Sequence, residues 1–186
     1  MSHFKIGKYS QLDAGVEIGE NCSIGSFCII QEGVIIGDNV TIGDYVLIAS
    51  NVSIGKNTRV MNFVEIRTNT HIGANCYIDS GVAFSGDSVI GNNVTLRYHA
   101  IMARGVSIGD NTYVCPRVMT NNLDTTKIPV GGAQIGKNCF IGTNSVINHG
   151  IIIEDGVVIG SLSFVNKNCE CNKTYVGTPA KEIVKK

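Results

Sequence analysis

Four histidines, His3, His71, His99 and His149, are the side chains of this chain best suited to moving a proton near neutral pH. Their surroundings separate them. His99 lies 18 residues before Arg117, and three residues beyond Arg117 the sequence enters TNNLDTTKIPVGGAQ, residues 120–134, its one irregular stretch. Chemistry is usually carried where a regular scaffold is interrupted by a loop. His99 is therefore the candidate catalytic residue, a general base about one strand spacing from the base of that loop, and Arg117 is a candidate substrate contact. His149, in Asn148-His149-Gly150, sits at a turn beyond the loop and is a second candidate substrate contact, reaching toward the cleft of a neighbouring subunit. His71 ends the unit IRTNTH at an outward strand position and His3 precedes every pattern, so both are weaker candidates.

What positions these residues is a repeat of six. From Ile6 to Met119, and again from Ile135 to Val176, the chain runs in hexads such as Ile36-Gly37-Asp38-Asn39-Val40-Thr41, 26 units in all. A period of six belongs to neither an amphipathic helix nor a long strand; it fits a short strand plus a turn. Position four is Asn or Gly in 17 of the 26 units, and these residues tolerate positive φ best, so the chain corners there. Positions one and five then face inward. Three sides close a triangular coil of 18 residues, coils stack by parallel pairing at about 4.8 Å, and 26 units give close to nine coils of an all-β solenoid. Five of the seven cysteines, Cys22, Cys28, Cys76, Cys139 and Cys169, occupy position five and read as small core residues rather than disulfide partners or metal ligands. Cys171 takes a leading position, and Cys115 fits neither.

The 18-residue period exposes one column. Position four departs from Asn and Gly at Tyr9, Phe27, Tyr45, Phe63, His99 and Arg117, each a multiple of 18 from the others, with Gly81 alone breaking the series. These residues stack on one corner. Because their bulk does not suit positive φ, the expectation is that this corner turns differently and offers a ridge for a neighbouring subunit.

Within the break, Pro129 to Gln134 reads as a degenerate hexad, which narrows the insertion to nine residues, 120–128, flanked by Pro116 and Pro129. At the other end, Gly177-Thr178-Pro179-Ala180-Lys181 is expected to cap and begin a short C-terminal helix over the last coil. The domain reading is a single unit, 1–186, with coils at 6–119 and 135–176, the loop at 120–134 and the tail at 177–186.

The hexad pattern resembles that of the hexapeptide-repeat acyltransferases over nearly the whole chain. That resemblance implies a left-handed parallel β-helix, whereas the general crossover rule would favour the right hand. It also implies a homotrimer with active sites between subunits and acyl transfer from acyl-CoA, with acetyl-CoA as co-substrate and no metal. The segment Val94 to Asn122 resembles the nucleotide-sugar N-acetyltransferases of the family: Arg97 matches their basic residue, and Pro116 followed by Thr120-Asn121 resembles their P-x-x-x-x-T-N-D element, with a shorter spacing and Asn122 in place of Asp. By this resemblance Asn121 lies near the reacting group, and Arg97 and Asn122 are substrate contacts. Thr143 and Ser161, 18 apart, match groove residues that hold pantetheine, and Lys181, in an element similar to the family's terminal G-N-P-A-K, faces the CoA nucleotide.

The acceptor implied is a small molecule, an amino sugar on a nucleotide, with sugar O-acetylation as the alternative. Fifteen basic and fifteen acidic residues cancel, which excludes the electropositive footprint of a nucleic-acid binder. No apolar run reaches the roughly 20 residues of a membrane span, and MSHFKIGKYS lacks the features of a signal peptide, so the expected location is the cytoplasm. Isolated histidines weigh against a γ-class carbonic anhydrase, and the loop and tail weigh against a non-catalytic spacer.

Overall fold

The computed structural model describes residues 4–183, so His3 and the last three residues of the tail lie outside it. Across that span the chain is a β-solenoid of about ten turns whose sides are strands of two residues, the first pointing outward and the second inward. The strands form three sheets of eleven, nine and eight members, here sheets 1, 2 and 3 in the order the chain visits them, parallel throughout except for the last strand of sheet 1. Pairing runs at an offset of 18, as in Arg59 with Tyr77 and Val60 with Ile78.

The inward residues build one continuous core. Ile30, Ile48, Ile66 and Phe84 stack along sheet 2, Ile36, Ile54, Ile72 and Ile90 along sheet 3, and all are at most 3% exposed. Position five completes each corner from inside. Thr58 donates its hydroxyl to the Gly73 carbonyl at 2.9 Å, and Cys76, one coil above, donates its thiol to the Gly91 carbonyl at 3.1 Å. Threonine and cysteine share that column with valine, and each brings one short donor to a corner carbonyl of the next coil. Burial pushes the thiols of Cys28, Cys76 and Cys139 up from their ordinary value and that of Cys169 to about 11, so these cysteines are core side chains with little thiolate. Cys171 departs from the sequence reading: it is exposed, and the place beside Ile153 is taken by Cys169, 2% exposed, because the last coil pairs at an offset of 16 and not 18, which also moves Cys169 out of the position five expected of it.

All three corners use the same backbone. Tyr9, Phe27, Tyr45, Phe63, His99 and Arg117 have φ between 57° and 63°, indistinguishable from Asn39 or Asn57 at 58° and 60°. The expectation of a differently turned corner is thus corrected: the large residues enter the left-handed region too. Four of them form a continuous stack, Tyr9 on Phe27, Phe27 on Tyr45 and Tyr45 on Phe63, with ring centroids 5.1, 4.8 and 5.1 Å apart.

The tail does not form the expected helix. Thr174–Val176 pairs parallel with Val158–Ile159 in sheet 1, and Lys181–Ile183 folds back on it as an antiparallel hairpin, Val176 opposite Lys181. Gly177, at φ 102°, supplies the turn, and the Thr178 hydroxyl reaches the Leu162 carbonyl at 3.1 Å instead of capping a helix. The β-favouring Thr174-Tyr175-Val176 run decides in favour of a strand.

Candidate functional site

The three corners differ in what they present. The first, between sheets 1 and 2, carries His99 and Arg117, with Arg97, Thr143 and Ser161 on neighbouring coils of the same corner. The second, between sheets 2 and 3, carries the loop, Asn121, Asn122 and His149. The candidate residues are therefore divided between two corners of one chain, and His99 does not stand beneath the loop as the spacing suggested. The reason is that the three residues after Arg117, Val118 to Thr120, make a whole side: Met119–Thr120 crosses sheet 2 before the loop begins.

At the first corner, His99 is exposed and its ring meets Tyr98 edge-on, centroids 4.0 Å apart at 66°. Arg117 follows one coil above, its backbone N–H on the Tyr98 carbonyl at 3.0 Å. Arg97 is held in place: its Nε donates to Asp79 at 2.9 Å and its Nη1 to the Tyr113 hydroxyl at 3.0 Å, while its guanidinium lies 6.0 Å from the centre of the Tyr77 ring. Tyr113 first and Asp79 second raise its affinity for its proton, so it is a fixed cation. Above it Cys115 is buried; burial raises its thiol's pKa and the neighbouring Thr143 opposes the rise. Ser161 is exposed one coil above Thr143.

At the second corner the loop is a short hairpin. The register jumps from 18 to 27 across it, with Met119 opposite Val146 and Ser107 opposite Gln134. Asn121 still donates its backbone N–H to Ile147, and Gly131 already accepts from Gly150, so the nine inserted residues are 122–130, two later than the sequence suggested. Val130 donates to the Asn122 carbonyl at 2.9 Å and Leu123 bridges Pro129, which closes the hairpin at its base. Asp124 braces the tip by accepting from the Thr126 amide and hydroxyl and the Ile128 amide at 2.8, 2.6 and 3.1 Å. Those bonds, from Thr126 first and Ile128 next, hold its carboxyl below the usual carboxylate range, and the nearby His149 adds to the effect. His149 is half-buried with its Nδ1 shielded and unpaired. Asn121 Nδ2 approaches Asn148 Oδ1 at 3.5 Å, and Asn121 and Asn122 wall a cleft of about 260 Å³ whose floor is Ile101, Ala103 and Met119.

Lys181 lies apart from both corners on the tail hairpin, lining a cavity of about 510 Å³ with Lys167 and Tyr175. His71 is on sheet 3, its Nδ1 2.8 Å from the Ser53 hydroxyl. Among the described residues no three His, Cys, Asp or Glu side chains gather as a metal site, and no helix is long and apolar enough to cross a membrane. Sequence reasoning missed Asp79 and Tyr113, which hold Arg97, and Asp124, whose Asp-x-Thr spacing is a recognisable side-chain turn signal.

A solenoid of hexads with two decorated corners defines a class, and comparison with known proteins agrees. The family described as bacterial transferase hexapeptide (six repeats) matches residues 15–50, 33–68, 51–86, 69–104 and 132–167, together more than half of the chain, and the chain belongs to that family. Among individual relatives, the dTDP-4-amino-4,6-dideoxy-D-glucose acyltransferase of Escherichia coli is 37% identical over 101 residues, 52% of this chain and 53% of the relative. The galactoside O-acetyltransferase of Escherichia coli is 33% identical over 90 residues, 42% of this chain and 43% of the relative. The chain thus spans about half the length of the curated relatives it matches. The structure of UDP-N-acetylglucosamine O-acyltransferase from Moraxella catarrhalis superposes with a TM-score of 0.84 over 94% of this chain and 72% of that one; at 22% identity it speaks for the fold alone, a left-handed β-helix. A galactoside acetyltransferase in complex with coenzyme A is 30% identical with a TM-score of 0.55, covering 63% of this chain and 64% of that one.

Proposed function

We propose that the protein is an acyltransferase that moves an acetyl group from acetyl-CoA to the amine of an amino sugar carried on a nucleotide. The observation that carries this reading is the 37% identity to a dTDP-amino-sugar acyltransferase. The amine attacks the thioester carbonyl, a tetrahedral oxyanion forms, the carbon–sulfur bond breaks, and CoA leaves as a thiolate. His99 takes the proton from the attacking nitrogen and passes it to the departing sulfur, while Asn121 is aligned with the reacting group. Preorganised donors around the oxyanion lower the barrier. Thr143 and Ser161 line the groove for the pantetheine arm and Lys181 meets a CoA phosphate; Arg97, Arg117, Asn122 and His149 hold the acceptor.

The division of these residues between two corners favours an active site shared between subunits of a homotrimer. Sheet 2, which lies between the corners, exposes Ile29, Ile101 and Met119, an apolar strip suited to burial between protomers. A trimer that brings the first corner of one protomer to the second corner of the next reunites His99 with Asn121. This reading has the protein working in the cytoplasm, where acetyl-CoA and nucleotide sugars are both at hand.

The 33% identity to a galactoside O-acetyltransferase favours a second reading, transfer to a sugar hydroxyl. Thiol release from acetyl-CoA, followed with a dTDP-4-amino-sugar and with galactosides, separates the two. The first reading expects turnover with the amine and little with the galactosides; preference for galactosides overturns it.

A further inference from the structure

Gly81 is the one member of the first-corner column without a side chain, and the coordinates show what occupies the space. A Cβ built on Gly81 would fall against Nδ1 and Cε1 of His99, whose imidazole has folded down from the coil above onto the bare Cα. The backbone alone does not call for glycine here. Gly81 has φ 71°, and Phe63 below and His99 above carry full side chains at 59° and 57° in the same column. What glycine supplies is room.

We infer that Gly81 is a positioning residue for His99, forming with Tyr98 a seat that fixes the imidazole. The floor of the seat is the Gly81 backbone, pressed against the Nδ1–Cε1 edge; the wall is the Tyr98 ring, 4.0 Å away and nearly perpendicular. With Nδ1 turned to the floor, Nε2 is the nitrogen left for an acceptor. A side chain at 81 lifts the ring out of the seat and swings Nε2 away from that direction. The inference rests on the reading of His99 as the proton acceptor, and it identifies a residue that never touches substrate yet sets where the base points.

A matched control exists at another corner. Gly33, at φ 68°, lies under Asn51, and a Cβ there would meet Asn51 Oδ1 at 2.7 Å, five coils below the loop and away from any histidine. Gly33→Asn therefore introduces a similar crowding at a left-handed corner without touching an imidazole.

The experiment compares Gly81→Asn, Gly33→Asn and His99→Asn by thermal melting, steady-state kinetics with acetyl-CoA and the amino-sugar acceptor, and NMR of the His99 ring. Gly81→Asn is expected to melt like Gly33→Asn, to keep its KM for acetyl-CoA, and to lose roughly 100-fold in kcat, the size expected of a misplaced catalytic group. The His99 ring protons should shift as they leave the Tyr98 ring. Unchanged His99 resonances and kcat in Gly81→Asn, alongside a large loss in His99→Asn, overturn the seat but leave the base in place. Wild-type turnover in His99→Asn overturns the reading of the base itself. Gly81→Ala repeats the comparison with the smallest added side chain should the asparagine fail to fold, and the NMR readout needs no turnover.

Discussion

The first and third corners of the prism have the same backbone and opposite side chains. At the third, between sheets 3 and 1, Asn39, Asn57 and Asn75 join amide to amide at 3.2 and 3.1 Å. At the first, Phe27, Tyr45 and Phe63 stack ring on ring in the same left-handed conformation. Asparagine tolerates that conformation; a ring-bearing residue gives up about 1–2 kcal/mol to enter it. Stacking offsets about 0.5–1.5 kcal/mol per aromatic pair. The first corner therefore holds its side chains at a small loss to the fold, and His99 shares that condition with no ring directly below it, since Gly81 lies there.

The largest test converts the first corner into the third. His99→Asn is expected to cut kcat by about 10²–10⁴-fold, the usual contribution of a general base, while thermal stability holds or rises. A parallel fall in melting temperature would mean that the histidine serves packing instead. A smaller effect is expected from Phe63→Asn, which relieves the backbone and loses one stack; equilibrium urea unfolding should show a change within about 1 kcal/mol, weighted toward stabilisation. A loss well beyond that would make the aromatic stack a structural element in its own right.

The smallest effect concerns the second corner. The Asp124 carboxyl is held below its ordinary range by bonds that exist only in the folded hairpin, so its contribution is present at neutral pH and disappears as pH falls through that depressed value. Hydrogen exchange at the Thr126 and Ile128 amides should quicken in acid relative to the amides of either ladder. Equal slowing or quickening across all three corners would remove Asp124 as the brace.

Much of this was legible because a period of six leaves little choice. The inward Ile and Val, the cornering Asn and Gly, the buried cysteines at position five and the nine-residue length of the insertion all follow from counting. What escaped was direction around the prism. Counting ends the coil at Met119 and begins the loop at Thr120, yet Met119–Thr120 is a strand of sheet 2, and that one side moves the loop to the next corner from His99. The φ of the aromatic column escaped as well, because residue preference describes averages while a stack of ten turns imposes its geometry on every member. The tail misled through a short motif whose Thr and Pro suit a helix start, where the preceding β-favouring residues prevailed.

The way the loop joins the solenoid has a further consequence. Residues 122–130 leave and return between Asn121 and Gly131; only the pairings that span them are lengthened by nine, and the next coil resumes the offset of 18, as in Gln134 with Ile152 and Phe140 with Val158. The hairpin is a graft on a finished wall. Its length and sequence can change without renegotiating the core that carries it.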